Sequence, residues 1–117
     1  MKKNKRYQRL AIGCLICLTF MFGATITVDQ TSSSINTITL GITAASTGDT
    51  VYVKSGTYIE QAAISKQITL LGDGSGSTII TNGSYVLKVT TSGVIVKGFT
   101  FLSMGDHSVY LSDASTF

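Results

Sequence analysis

The stretch ITLLGDGSGSTII, Ile68 to Ile80, holds an apolar run, a loop with glycine at positions 72, 74 and 76, and a second apolar run. Such a loop can cradle a phosphate, hold a metal or simply turn the chain. A dinucleotide site requires G-x-G-x-x-G opening a helix, and a P-loop requires G-K-[ST]. Here the glycines are spaced by two, no lysine follows, and Thr78-Ile79-Ile80 reads as another strand. Without a helix N-terminus there is no dipole aimed at an anion. The stretch therefore reads as strand, corner, strand, with the glycines permitting the backbone angles and the side chains of Asp73 and Ser75 bonding the turn.

The same grammar extends to either side. Val51-Tyr52-Val53, Ile68 to Leu71, Thr78 to Ile80, Val86 to Val89, Val94 to Val96, Phe99 to Phe101 and Val109 to Leu111 are short β-branched or aromatic runs separated by Gly, Ser, Asp and Asn. Alternation puts Val51 and Val53, or Val109 and Leu111, on one face and a tyrosine on the other. Two of the runs repeat. Ile68-Thr69-Leu70-Leu71-Gly72 lies on Val94-Ile95-Val96-Lys97-Gly98 at an offset of 26, and Ser84-Tyr85-Val86-Leu87 lies on Ser108-Val109-Tyr110-Leu111 at an offset of 24. Val51 precedes Ile68 by 17, so the first coil is expected to be shorter than the rest. Periods in the twenties, made of short strands and sharp turns, point to a solenoid, with an antiparallel sandwich as the alternative. Stacked rungs bury one apolar column and tolerate hydroxyls outside, and the chain after residue 24 has thirty Ser and Thr.

A solenoid end exposes apolar side chains and unpaired strand edges, so it requires a cap. SSSINTITLGITAAS, residues 32–46, spaces Ile35, Ile38, Ile42 and Ala45 by three and four, which predicts a short amphipathic helix. Ser32 to Ser34 are its N-cap candidates and Gly48 its stop, with a strand over Ile38 to Ile42 as the other reading. No comparable cap follows Tyr110, and Phe117 falls in mid-rung, so the coil is expected to be truncated at its C-terminus.

The N-terminal part has another character. MKKNKRYQR carries five positive charges and no acid, and Leu10 to Val28 are nineteen residues without a charge. That is the layout of a secretory signal with a cleavage zone at Gly23 and Ala24, or of an uncleaved signal-anchor. Cys14 and Cys17 lie inside the apolar segment as small side chains rather than as a redox or zinc pair. The expected organisation is a signal peptide or signal-anchor over 1–27, a capping-helix region over 28–47 and an incomplete parallel coil over 48–117. After residue 24, four lysines face six acids, a net charge of −2, so no basic patch suited to nucleic acid remains. The exported part has no cysteine, and packing and backbone hydrogen bonds must hold it.

GDTVYVKSGTYIEQ (Gly48 to Gln61), ITLLGDGSGSTII and SGVIVKGFTFLSMGDHSVYLSDAS (Ser92 to Ser115) together resemble the start of a pectin lyase-like right-handed parallel β-helix protein, over about residues 28–117. GTYIEQ with GDGSGSTII is similar to the opening of pectinesterases. GVIVKGFTF with GDHSVYLSDAS is similar to NosD-like surface β-helix repeats, which are often non-catalytic and carbohydrate-associated. The resemblance implies an all-β, right-handed parallel β-helix of about three coils with the short N-terminal capping helix.

It implies less about chemistry. In pectinesterases the catalytic aspartates and substrate-binding arginine lie further along the coil than this sequence reaches, and the oxyanion-stabilising glutamine would fall at His107. Pectate lyases use an arginine base and clustered calcium-binding aspartates, and no arginine follows residue 24. Polygalacturonases use closely placed aspartates, and no two acids here are nearer than seven residues. His107 and Ser108 are adjacent, so on a strand they point to opposite faces, and no G-x-S-x-G elbow presents a serine. Asp49, Asp73, Asp106 and Asp113 each adjoin Gly or Ser, as turn-forming aspartates do. No catalytic residue, cofactor or metal site is therefore expected. Asn82-Gly83-Ser84 fits a glycosylation acceptor and equally a turn.

Aromatic and cationic groups on outward positions remain. Tyr52 and Tyr110 can stack on sugar rings, Lys88 and Lys97 can meet uronate carboxylates, and His107 sits at a turn beside them. Tyr58, in the GTY stretch, reads as a packed structural residue. The expected function is a secreted or cell-surface scaffold contacting a polysaccharide, pectin-like or another cell-surface glycan, with the membrane met only through the N-terminal segment. The alternative is the N-terminal part of a pectinesterase or pectate-lyase-like enzyme whose catalytic residues lie outside this chain.

Overall fold

The computed structural model describes residues 23–105 and 108–111. The basic and apolar segment up to residue 22, Asp106, His107 and Asp113 lie outside the described residues, as do the signal, anchor and cysteine readings made on that segment.

The chain forms β1 (Thr25–Val28), α1 (Ile38–Ala44), β2 (Thr50–Val53), β3 (Gly56–Ile59), β4 (Ala62–Ile64), β5 (Thr69–Gly72), β6 (Thr78–Asn82), β7 (Leu87–Val89), β8 (Ile95–Lys97), β9 (Thr100–Ser103) and β10 (Val109–Leu111). From β2 onward strands three apart in sequence pair in parallel, and β1 pairs with β2, giving three walls ordered β1-β2-β5-β8, β3-β6-β9 and β4-β7-β10. The chain visits the walls in rotation, and the result is a parallel β-solenoid of about four turns with one short helix. One turn more than expected appears because β1 lays down a rung ahead of α1 and pairs with β2.

Inward positions follow the alternation of the strands. Val51 stacks on Leu70, Tyr58 on Ile80, Ala62 on Leu87 and Ile64 on Val89, all buried. Each fully buried Val, Leu or Ile contributes about 1.5–3 kcal/mol relative to exposure. Tyr58 is packed as its setting suggested, and its hydroxyl donates to the Lys54 carbonyl at 3.0 Å. β3 and β4 were not anticipated as strands, because GTYI and AAI carry glycine or alanine where β-branched residues usually mark a strand.

The offset of 26 is confirmed, since Thr69 pairs with Ile95 and Leu71 with Lys97. Its glycines have a packing reason. Gly72 and Gly98 stack with their backbones so close that a Cβ on either would collide with the other's carbonyl, and Gly98 has φ +81°. The offset of 24 is corrected to 22, because Leu87 pairs with Val109 and Lys88 with Tyr110. The coil from β2 to β5 is the short one, with Thr50 on Thr69 at an offset of 19, but β1 puts another ahead of it, with Thr25 on Thr50 at an offset of 25.

The opening stretch is a corner between the first and second walls, but its bonds differ from expectation. The Asp73 amide donates to the Thr78 hydroxyl at 3.0 Å, and the Ser77 and Thr78 amides donate to the Gly74 carbonyl. The side chains of Asp73 and Ser75 do not close the turn; Thr78, fully buried, has the length and position to do so.

The helix is also shorter than predicted. Thr37, not Ser32 to Ser34, is the N-cap, its hydroxyl accepting from the Leu40 amide at 3.1 Å, and the helix ends at Ala44 before Gly48 is reached. Ile38 and Ile42 are buried and Ile35 packs ahead of the helix. Two residues of the neighbouring rung hold its ends. The Glu60 carboxylate accepts from the Ile38 and Thr39 amides at 2.8 and 2.9 Å, and the Lys66 ammonium donates to the Ile42, Thr43 and Ala45 carbonyls. Acid at the N-terminus and cation at the C-terminus complement the helix dipole. Glu60 and Lys66 flank β4, against which α1 packs together with β1 and β2. Thus the rung of β2 to β4 carries both fasteners of the helix.

Candidate functional site

The acids are the first groups to place, because hydrolysis of a polysaccharide needs free carboxyls. Asp29 accepts from Thr31 and from Lys54 at 2.8 Å, and Asp49 from the Ala24 and Ser46 amides at 2.8 Å each. Glu60 holds the helix, and Asp73 accepts from the Tyr52 hydroxyl at 2.7 Å. The Lys54 ammonium, then the Thr31 donors, hold the Asp29 carboxyl well below the usual carboxylate range. Backbone amides of Ser46 and Ala24 lower Asp49 in the same sense. The hydrogen bond to Asp73 pushes the Tyr52 phenol up, and the bond to Asp29 pushes the Lys54 ammonium up. Every acid among the described residues therefore has a structural partner, and no three His, Cys, Asp or Glu among them converge as a metal site.

The predicted sugar-contacting residues separate onto two walls. On the first wall the outward register runs Thr27, Tyr52, Leu71, Lys97, so Tyr52 and Lys97 share a column with Leu71 between them. Tyr52 is half-buried and its hydroxyl is engaged with Asp73. On the third wall the outward register runs Ala63, Lys88, Tyr110, which puts Lys88 directly beside Tyr110. The Lys88 ammonium lies 5.6 Å from the Tyr110 ring centroid, within cation–π range. Tyr85, just ahead of β7, places its ring centroid 6.5 Å from that of Tyr110 at 40°. His107 lies outside the described residues.

The third wall thus presents two neighbouring tyrosine rings with an ammonium over one of them, Tyr110, which is 46% exposed. Such a group offers an aromatic face to the C–H side of a pyranose and a cation to a carboxylate. From sequence Tyr85 reads only as a candidate tyrosine near a turn, without a partner. The offset of 24 set it against Val109, and only the true register of 22 brings the Lys88 and Tyr110 side chains together within its reach. An apolar cavity of 270 Å³ lined by Leu87, Val96, Phe101, Val109 and Leu111 prolongs the buried column and has no polar lining residue for a sugar to address.

The class defined by this geometry is a parallel β-solenoid with an N-terminal helical cap. Compared with known protein families, curated proteins and solved structures, the chain finds no match.

Proposed function

We propose that the chain is a glycan-contacting scaffold of an exported protein, a right-handed parallel β-helix of the pectin lyase-like kind, acting by adhesion rather than by catalysis. The observation that carries this reading is the Tyr85–Lys88–Tyr110 cluster on the outer face of the third wall. The rings stack on sugar and the ammonium prefers uronate, so the favoured ligand is an acidic polysaccharide such as polygalacturonate. The engagement of Asp29, Asp49, Glu60 and Asp73 in structural bonds supports a role without general acid–base chemistry. The flat wall supports it too, because a parallel sheet repeats its outward positions every 4.7–4.9 Å or so and presents an extended surface to an extended polymer.

Retention on immobilised polygalacturonate tests the proposal. The wild-type chain is retarded, Tyr110→Ala and Lys88→Ala each weaken binding by about tenfold, and salt weakens what Lys88 contributes. Wild-type elution in the void volume at low salt would sink the reading.

A further inference from the structure

The corner joining the third wall to the first carries a groove unrelated to the tyrosine cluster. Two residues ahead of the column Thr50, Thr69, Ile95, the same register stacks Gly48, Gln67 and Gly93. Gln67 therefore stands between two glycines along the solenoid axis. Both have left-handed backbones, φ +93° for Gly48 and +75° for Gly93, which favour glycine and leave the flanking positions without side chains. The Gln67 side chain lies across the bare Cα of Gly93, where a Cβ would collide with its amide. A concavity of 320 Å³ results, lined by Thr47, Gln67, Thr69 and Ile95 together with the two glycines. Ligand pockets begin at about 300 Å³, so this one has the scale of a single small ring.

Its walls are rigid and its lining is neutral. The Gly48 amide donates to the Gln67 carbonyl at 2.7 Å, Thr69 to Asp49 at 3.0 Å and Ile95 to Ile68 at 3.2 Å, so three rungs are tied together across the floor. The charges nearest in sequence are turned elsewhere: Lys66 to the carbonyls of α1, and Asp49 to the Ala24 and Ser46 amides. What remains is an amide with two donors and an acceptor, two threonine hydroxyls and the side of Ile95, which is 50% exposed.

We infer that the Gln67 groove is a second binding site, and that it takes a neutral pyranose unit of a polysaccharide. A pyranose has hydroxyls on its rim and C–H groups on its faces. The Gln67 amide can bridge two vicinal hydroxyls, the Thr47 and Thr69 hydroxyls can complete the rim contacts, and Ile95 can support the face. No charged side chain lines the groove, Lys97 standing two residues past Ile95 on the outward face of β8, in contrast to Lys88 within the third-wall cluster. The site stands on an observation independent of the tyrosine cluster.

The test is an NMR titration of the chain with cellohexaose and maltohexaose as neutral probes and hexagalacturonate as the acidic one. One or both neutral probes shift the Gln67, Thr69 and Gly93 amides. Gln67→Ala, at an exposed corner where the main chain supplies the hydrogen bonds of the fold, weakens that binding by about tenfold through loss of two hydrogen bonds. It leaves the melting temperature and the hexagalacturonate titration unchanged. Absence of those shifts with both neutral probes, or neutral binding by Gln67→Ala equal to wild type, overturns the inference. Loss of hexagalacturonate binding in the wild type overturns the proposed function instead, and the neutral titration still decides the groove.

Discussion

Replacing Glu60 by alanine should unfasten the cap. The carboxylate makes a part-buried bond to the Ile38 amide at 2.8 Å and two exposed bonds, to the Thr39 amide at 2.9 Å and hydroxyl at 2.7 Å. A hydrogen bond to a charged group contributes about 1.5–3 kcal/mol when shielded. The exposed pair is screened to about 0.5 kcal/mol each, and the dipole adds about 0.3–1 kcal/mol. The total is about 3–5 kcal/mol, set against a typical domain stability of about 5–15 kcal/mol. Because α1 has seven residues, it cannot persist on intrinsic propensity once its end is released. At about 4–8 °C per kcal/mol, the melting temperature falls by about 12–40 °C. Glu60→Gln should recover only part of this, since its carbonyl oxygen can serve Ile38 while its NH₂ then faces the Thr39 amide. Lys66→Met attacks the other end, and because both act on one short helix, the double variant should lose less than the sum. Urea and thermal melts followed by far-ultraviolet circular dichroism measure all four chains. An unchanged urea midpoint for Glu60→Ala would refute the argument that the helix is held from the rung of β2 to β4.

Three further outcomes follow from the same contacts. Gly98→Ala places a Cβ at φ +81° against the Gly72 carbonyl and should cost about 2–4 kcal/mol in urea melts, whereas a near-neutral result would mean the glycine stack is not in contact. Tyr58→Phe leaves the Lys54 carbonyl without its donor in a buried setting and should cost about 1–2 kcal/mol, read from the same melts. Asp29 and Asp49 are both held below the ordinary value of 3.8, so the unfolded chain takes up protons first and stability declines as pH falls through about 4 and below. Asp29→Asn should flatten that acid limb in a series of melts from pH 6 to about pH 2, and an unaltered slope would count against the Asp29–Lys54 pairing.

The solenoid was readable because its causes are local. Each rung needs short apolar runs with a period of two, and Val51, Leu70, Ile80, Leu87 and Val94 announce themselves as buried positions without knowledge of their partners. The glycine pair at an offset of 26 was readable for the same reason, since Gly72 and Gly98 are set by a close approach that admits no other residue. The cap helix was visible in the spacing of Ile38 and Ile42, but its boundaries were not. They depend on Thr37 and on Glu60 and Lys66, which arrive from another rung more than twenty residues along the chain.

The outward surface obeys a different logic. A register error of one would turn every side chain to the wrong face and expose itself at once, whereas an error of two preserves the alternation and leaves no trace in the pattern. The offset of 24 in place of 22 was an error of that kind. It kept Leu87 and Val109 inside and yet moved Lys88 away from Tyr110, the pairing that makes the third wall a candidate site. The Gln67 groove escaped for a related reason, because a glutamine between two glycines is unremarkable until offsets of 19 and 26 stack Gly48, Gln67 and Gly93 in one column. In a solenoid, then, inward identity is specified within a rung, but outward function is specified between rungs. Unequal corner lengths decide which side chains meet on the surface, so a two-residue insertion at the corner between Val89 and Ile95 should leave the buried column of β5 to β7 in place. It should weaken polygalacturonate retention by displacing Tyr110 from Lys88, and retention equal to wild type would show that the tyrosine cluster does not depend on this register.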